Sequence, residues 1–182
     1  MPRLLLLALA ILLATLAGLA FWLGQVAEAP RPVIAPTAVE ASPGAIYAAR
    51  FADLNGKEQM LGQWQSKLLV INFWATWCGP CREEMPLLAK LQNEYSSRGL
   101  QIVGIAVDSR ENVANFVKES PVSYPLLPDE ARAMEFAKRL GNRLGLLPFT
   151  LVLRPPGDVI FSRLGVVTEA EMRQLFVNNL QK

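Results

Sequence analysis

The sequence predicts an α/β fold, with one domain from about residue 46 to residue 182 built on a central sheet flanked by helices. Two runs of residues, 68–74 and 101–107, are apolar on both faces and therefore predict buried strands. Amphipathic stretches follow both runs, and turn-forming residues further along predict a hairpin. A segment of this length can bury a hydrophobic core of its own, so we expect a single domain.

The predicted elements follow one another along this domain with short connections. In chain order they are a hairpin at 46–60, a strand at 68–74, a helix at 78–98, a strand at 101–107, a short helix at 112–119, a strand at 124–127, a helix at 129–140, a hairpin with strands at 149–153 and 159–164, and a helix at 168–180. Both hairpins have turn residues in the right places, at 54–57 and 155–158. Gly99 and Gly141 are placed to end two of the helices.

Residues 4–23 carry no charged side chain. As a helix they would span about 30 Å, the thickness of the hydrocarbon core of a bilayer. A cleaved secretory signal is the alternative, because residues 27–29 have the Ala-x-Ala pattern of a cleavage site. The apolar run is longer than a usual signal core, and Pro30 would hinder cleavage after Ala29, so we favour an uncleaved membrane anchor. In either case the domain is exported.

Residues 25–45 are rich in proline and alanine and predict an extended tether. The expected organisation is therefore an anchor or signal at 1–24, a tether at 25–45 and a domain at 46–182. The net charge is +2, and lysines and arginines are scattered rather than clustered. The sequence therefore indicates no nucleic-acid partner.

Cys78 and Cys81 are the only cysteines of the chain, and they stand where the strand predicted at 68–74 leads into a helix. Residues three apart on a helix can come close enough for a disulfide. The start of a helix also presents unpaired N–H groups and the positive end of its dipole, both of which stabilise a thiolate. The position therefore predicts a redox-active dithiol.

Other uses of a Cys-x-x-Cys pair need further ligands. The chain has no third cysteine and no histidine, which disfavours a closed zinc site, a c-type haem and an iron–sulfur cluster. We expect neither a metal nor a separate cofactor. A static structural disulfide stays open as an alternative, although a bridge over so short a loop would stabilise the fold little.

The residues around the pair resemble a known family. Residues 73–86 are similar to the active-site segment of thioredoxin-like proteins, and most of all to their membrane-anchored TlpA/ResA branch. In that branch a Trp-Cys-x-Pro-Cys motif is followed by a glutamate and a proline, which Glu84 and Pro86 match. Residues 147–150 resemble the cis-proline segment of the family. The resemblance implies a thioredoxin fold with a mixed central sheet, an N-terminal hairpin and a helix–strand insertion within 110–127.

The position of each cysteine predicts its role. Cys78 precedes the helix or caps it, so we expect it to be the exposed thiol of lower pKa and the attacking nucleophile. Cys81 lies one turn further in and would resolve the mixed disulfide. Gly79 would let a client backbone approach. Pro80 would stiffen the loop, or would do no more than start the helix.

Further residues are candidates for client binding. Trp77 stands beside the cysteines and is expected to form part of a docking surface. The resemblance implies a cis bond between Leu147 and Pro148 that faces the cysteines, with a backbone that pairs with an extended client. Phe149 and Thr150 are weaker candidates for the same groove.

Glu84 is the candidate for proton transfer. Thioredoxins have a buried aspartate six residues before the first cysteine, where this chain has Asn72, which cannot accept a proton. Glu84 is one turn beyond Cys81 on the same helical face, whereas Glu83 points away. Desolvation would raise the pKa of Glu84 and suit it to exchange a proton with a thiol. The alternative is a solvated glutamate that the helix dipole favours.

The expected function is that of an enzyme, a membrane-tethered thiol–disulfide oxidoreductase. The resemblance implies that it faces the periplasm from the bacterial inner membrane and reduces disulfides of exported proteins, with apocytochrome c or a copper-site assembly protein as clients. It also implies a membrane thiol–disulfide electron donor. A disulfide oxidase or isomerase for exported proteins is one alternative, and a thioredoxin-fold binding or chaperone module is another.

Overall fold

The structure is a computed structural model that describes residues 12–15, 18, 39–65 and 67–180. The chain divides into two units, at 1–32 and 33–182. In the first unit, residues 12–15 and 18 are helical, while most of the expected anchor and tether lies outside the described residues. No helix within the described ranges has the length and the apolar composition needed to cross a membrane.

The second unit is built of helices and strands. Its described residues form α1 (Pro43–Tyr47), β1 (Arg50–Ala52), β2 (Glu58–Met60), β3 (Leu68–Trp74), α2 (Gly79–Tyr95), β4 (Leu100–Ala106), α3 (Arg110–Glu119), β5 (Leu126–Pro128), α4 (Glu130–Arg139), β6 (Phe149–Arg154), β7 (Asp158–Leu164) and α5 (Glu169–Asn179), with 3₁₀ turns at Leu61–Trp64 and Ser96–Arg98.

The central sheet has five strands in the order β5-β4-β3-β6-β7. Strand β4 is parallel to both of its neighbours, β3 and β5. Strand β6 runs antiparallel to β3 and β7, so the sheet is mixed. Strands β1 and β2 form a separate antiparallel hairpin. The predicted thioredoxin fold is confirmed, together with its N-terminal hairpin and the insertion that contains α3 and β5.

Strand β3 lies at the centre of the core, and all of its residues are buried. Because side chains alternate along a strand, Ile71 and Phe73 join the core cluster on one face of the sheet, while Val70 and Trp74 join the cluster on the other. The cluster of Val70 and Trp74 also contains Cys81 and the buried side of α2. This shared core fixes the start of α2 at the end of the central strand.

Several boundaries differ from the sequence prediction, most clearly at the N-terminal hairpin and at β5. Residues 46 and 47 do not belong to the N-terminal hairpin but end helix α1, because the Ser42 side chain caps that helix and Pro43 suits its first position. The strand expected at 124–127 begins only at Leu126 and includes Pro128. Strand β5 is at the edge of the sheet, where the missing N–H of a proline leaves no partner strand unsatisfied.

The stretch just before residue 46, which the sequence assigns to the tether, contacts the rest of the second unit. Val39 and Ala41 pack against the core cluster that contains Ile71. The Glu40 N–H donates a hydrogen bond of 3.1 Å to the carbonyl of Arg139. The three-part division of the chain stays a prediction.

Candidate active site

Cys78 and Cys81 form a disulfide at the start of α2, with their Cα atoms 5.3 Å apart. Cys78 is the N-cap of the helix, and its Sγ accepts a hydrogen bond from the Cys81 N–H at 3.3 Å. The chain reaches this cap through a turn in which the Cys78 N–H donates to the carbonyl of Ala75. Sγ of Cys78 therefore occupies the place of a capping oxygen, where the N–H groups and the helix dipole favour negative charge.

Both cysteines are buried in the disulfide form. Cys81 is 0% exposed and Cys78 6%, so the prediction of an exposed Cys78 is wrong for this state, although Cys78 is the more accessible of the two. The turn before the helix packs Cys78 into the same core cluster as Trp74. The exposed surface beside the disulfide comes instead from Trp77, which is 68% exposed, and from Pro80.

Glu84 lies in the second turn of α2 and faces the sheet, with only 2% of its surface exposed. Its Oε1 accepts a hydrogen bond of 2.7 Å from Asn72 Nδ2, and its Oε2 accepts one of 3.0 Å from the Val167 N–H. Burial raises the pKa of Glu84 to about 7, and the hydrogen bonds from Val167 and Asn72 only partly oppose this rise. The predicted rise is confirmed, and the alternative of a solvated glutamate is wrong.

Further ionisable side chains near the disulfide lie on α2 and in the insertion. Arg82 and Glu83 are exposed on α2, as expected for side chains that point away from the sheet. Tyr124, just before β5, is buried, and burial together with the charge of Glu84 raises its pKa. In the part of the chain that the structure describes, no group of three or more His, Cys, Asp or Glu side chains could hold a metal ion.

Pro148 lies at the end of the sheet from which the chain turns towards Cys78. The Leu147–Pro148 peptide bond is cis, as predicted. Pro148 is buried and immediately precedes β6, where Phe149 pairs with Phe73 near the end of β3. Because β3 and β6 are antiparallel, the start of β6 and the end of β3 meet at the same edge of the sheet.

A groove of about 520 Å³ opens beside the first turns of α2. One wall comes from α2, with Gly79 and Met85, and the other comes from the insertion, with Phe116 and Val122. Phe116 also packs on Trp74 of β3, with ring centroids 5.2 Å apart. The insertion therefore shapes the surface next to the disulfide.

The Redoxin family model matches residues 35–176 of this chain. The chain belongs to the redoxin family. It is 34% identical over 119 residues to the thiol-disulfide oxidoreductase ResA of Bacillus subtilis, a match that covers 65% of this chain and 64% of that protein. It is 32% identical over 122 residues to the thiol-disulfide oxidoreductase ResA of Bacillus cereus, covering 66% of this chain and 68% of that protein.

A solved structure is also similar to this redoxin. The thioredoxin-related protein from Neisseria meningitidis serogroup B is 37% identical, with a TM-score of 0.62, and the match covers 68% of this chain and 93% of that chain. The match to the B. subtilis protein spans just under two thirds of that relative, at 64% of its length. The predicted ResA-type relationship is confirmed.

Asn72 has a place in the site of this redoxin that was not predicted from the sequence. Its Nδ2 donates both to Glu84 and to Thr150 Oγ1, the latter at 3.0 Å. The position that carries an aspartate in thioredoxins thus holds a neutral donor for the Glu84 carboxylate. A lone amide in an otherwise apolar run was the available signal. Val167 had none, because it is 83 residues from Glu84 along the chain.

Proposed function

We propose that this redoxin reduces disulfides of exported proteins through the Cys78–Cys81 pair. The observation that carries the proposal is the disulfide at the start of α2, with the buried carboxyl group of Glu84 in the next turn of the same helix. The Gly79-Pro80 dipeptide between the cysteines matches that of reducing thioredoxins and supports reduction as the direction. A loop this short adds little to fold stability, so the bond can open while the domain stays folded.

The reaction starts from the dithiol form. The Cys78 thiolate attacks one sulfur of the client disulfide, which breaks that S–S bond and joins Cys78 to the client. Cys81 then loses its proton and attacks the Cys78 sulfur. The mixed disulfide breaks, the client leaves as a dithiol and the Cys78–Cys81 bond forms. Two electrons and two protons pass to the client in one cycle, and a membrane thiol–disulfide donor restores the dithiol.

The surroundings of the two sulfur atoms support this order of attack. The Cys78 sulfur sits at the N-cap and accepts the Cys81 N–H, so a thiolate is stabilised there. Cys81 is completely buried, whereas Cys78 keeps 6% of its surface exposed. A client sulfur can therefore reach Cys78 first. Cys81 reacts only afterwards, when it attacks the Cys78 sulfur of the mixed disulfide.

Glu84 takes the proton that Cys81 releases. A group whose pKa lies near the working pH can both accept a proton and return it, and the pKa of Glu84 is about 7. The hydrogen bonds from Asn72 and Val167 hold the carboxyl group between the helix and the sheet. They leave the carboxyl group on the face of α2 that also carries Cys81.

The proposed client-binding surface consists of Trp77, Gly79, Pro80, Leu147 and Pro148. The clients are apocytochrome c before haem attachment or a copper-site assembly protein. The apolar segment at 4–23 supports export and anchoring in the bacterial inner membrane, with the domain on the periplasmic side.

The test mixes the reduced full-length protein with a peptide that carries the oxidised Cys-x-x-Cys-His sequence of a haem-attachment site. We expect each molecule of wild-type protein to convert one molecule of peptide to its dithiol, and Cys78→Ser to convert none. The same mixture in a glutathione buffer gives the reduction potential, which we expect to favour client reduction. A protein that instead oxidises the dithiol peptide would be an oxidase. If the Cys78→Ser variant keeps the activity of the wild-type protein on the client, the protein would be a binding module.

A further inference from the structure

Asp108 joins the turn before the disulfide to helix α3. It is the second residue after β4 and is only 4% exposed. Its Oδ2 accepts hydrogen bonds from the Thr76 N–H at 3.0 Å and from the Thr76 Oγ1 hydroxyl at 2.5 Å. Its Oδ1 accepts from the Ser109 N–H at 2.8 Å and from Asn112 Nδ2 at 2.7 Å. These four hydrogen bonds to the buried carboxylate thus come from two segments, the turn and the start of α3.

The charge of Asp108 strengthens this junction. Burial would by itself raise the pKa of Asp108, but the hydrogen bonds from Thr76, Asn112 and Ser109 outweigh burial and hold the pKa below its ordinary value. The group is therefore a carboxylate at neutral pH. Hydrogen bonds to an ionised acceptor are shorter and stronger than those between neutral groups, so the two segments are held firmly.

The turn that Asp108 holds is the one that presents Trp77. Thr76 and Trp77 are its two central residues, between the Ala75 carbonyl and the Cys78 N–H that donates to it. Trp77 is 68% exposed beside a buried disulfide. A large aromatic side chain held outward on a fixed backbone is a suitable anchor for a polypeptide, because little freedom is lost when the partner binds.

We propose that Asp108 is a positioning residue for client recognition. It fixes the turn and thereby holds Trp77 exposed beside the disulfide, where Trp77 contacts the polypeptide around a client cysteine. The inference rests on the proposed function and adds to it a residue that touches neither sulfur atom. It assigns Asp108 an effect on the KM for polypeptide disulfides through Trp77, while the chemistry stays with the cysteines and Glu84.

The experiment measures kcat and KM of the full-length protein with the same oxidised Cys-x-x-Cys-His peptide, while a small-molecule dithiol in excess restores the Cys78–Cys81 dithiol after each turnover and the rate without protein is subtracted. Asp108→Asn loses the charge and presents an N–H to groups that are themselves donors, so we expect KM to rise about tenfold, with a much smaller change in kcat. Thr76→Val removes only the hydroxyl bond and should raise KM less. Thr76→Ser keeps the hydrogen bonds from both the N–H and the hydroxyl to Asp108, and it should have the wild-type KM. Asp129→Asn, at the N-cap of α4, is the matched control and should leave KM unchanged.

A double variant separates positioning from a loss of stability. If Asp108 acts through Trp77, adding Asp108→Asn to Trp77→Ala should raise KM no further than Trp77→Ala does alone. Additive effects on KM, or a fall in kcat as large as the rise in KM, would overturn the inference. Wild-type turnover of the peptide tests the proposed function separately: turnover by wild type with an unchanged KM in Asp108→Asn would reject only the role of Asp108.

Discussion

Asn72 on the central strand donates a hydrogen bond of 2.7 Å to the carboxyl group of Glu84 on helix α2. The buried carboxyl group thus lies on the helix, whereas thioredoxins have their aspartate at the strand position. Asn72 keeps a polar link to the site but carries no charge. The electrostatics around Cys81 then depend on Glu84, whose pKa burial raises to about 7.

Glu84 should make the stability of the disulfide form fall as the pH rises. The folded state keeps the Glu84 proton up to a pH of about 7, whereas the unfolded chain releases it near the ordinary value of 4.5. The contribution of Glu84 should therefore be fully present below pH 4.5, and about 3 kcal/mol of unfolding free energy should be lost from it by pH 7. The chain has no histidine to titrate in this window.

Urea unfolding at several pH values measures this slope. Glu84→Gln cannot ionise and should remove most of it, while Glu83→Gln, at an exposed position, should keep the wild-type slope. An equal slope in wild type and Glu84→Gln would show that Glu84 is already ionised in the fold.

Glu84→Gln should also change the chemistry of the reduced form. An ionised carboxylate beside a thiol raises the thiol pKa, so its removal should lower the pKa of the cysteine pair and shift the pH dependence of disulfide exchange. We expect neighbouring groups of this kind to titrate as a coupled set, so the profile should change in shape as well as in midpoint. Alkylation rates across the pH range report the thiol pKa. Coinciding profiles for wild type and Glu84→Gln would reduce Glu84 to a structural group.

Asn72→Asp should place two carboxyl groups in direct contact. The change removes the donor to Glu84 and Thr150 and brings a second acid to the buried site. Like charges this close cannot both ionise without cost, so one pKa of the pair should rise further. We expect a loss of about 2–4 kcal/mol of unfolding free energy at pH 8, and a smaller loss at pH 4, measured by urea unfolding. A pH-independent effect would show that the two groups do not interact.

Gly104→Ala should loosen the insertion next to the site. A Cβ at this position would lie 2.7 Å from Leu126 Cδ2 and 3.1 Å from Trp74 Nε1. Overpacking of this kind costs about 1–3 kcal/mol, and here it acts on the contact between β4 and β5. The control is Gly44→Ala in helix α1, where a Cβ meets no atom within 4 Å and where alanine should be neutral or stabilising. Thermal unfolding of the two variants compares them directly, and equal stabilities would show that β5 yields freely.

The sequence predicted those parts of the molecule that rest on local patterns. The apolar run of β3 and the position of the cysteines after it were enough to place the dithiol at the start of a helix. The spacing from Cys81 to Glu84 was enough to put both on the buried side of α2. Contacts that form only when the chain folds could not be predicted from these local patterns. The Val167 N–H donates to Glu84 from the loop before α5. The turn that buries Cys78 is closed by the hydrogen bond from the Cys78 N–H to the carbonyl of Ala75.

Asp108 shows the same limit in another way. An aspartate after a strand and before a helix reads as an ordinary start of that helix, and here Ser109 is the residue that caps α3. The hydrogen bonds that Thr76 donates to Asp108 join residues 32 positions apart in the chain. They depend on the parallel pairing of β3 and β4, which brings the two strand ends together.

Trapping of the mixed disulfide tests the central claim, that Cys78 attacks a client and Cys81 resolves the product. The full-length Cys81→Ser and Cys78→Ser variants are each incubated with the oxidised Cys-x-x-Cys-His peptide, and the adducts are measured by non-reducing electrophoresis and mass spectrometry. Cys81→Ser should accumulate a covalent adduct through Cys78, because no second thiol is left to release the peptide. Cys78→Ser should form none, because Cys81 is completely buried. Equal amounts of adduct with both variants would contradict the assignment.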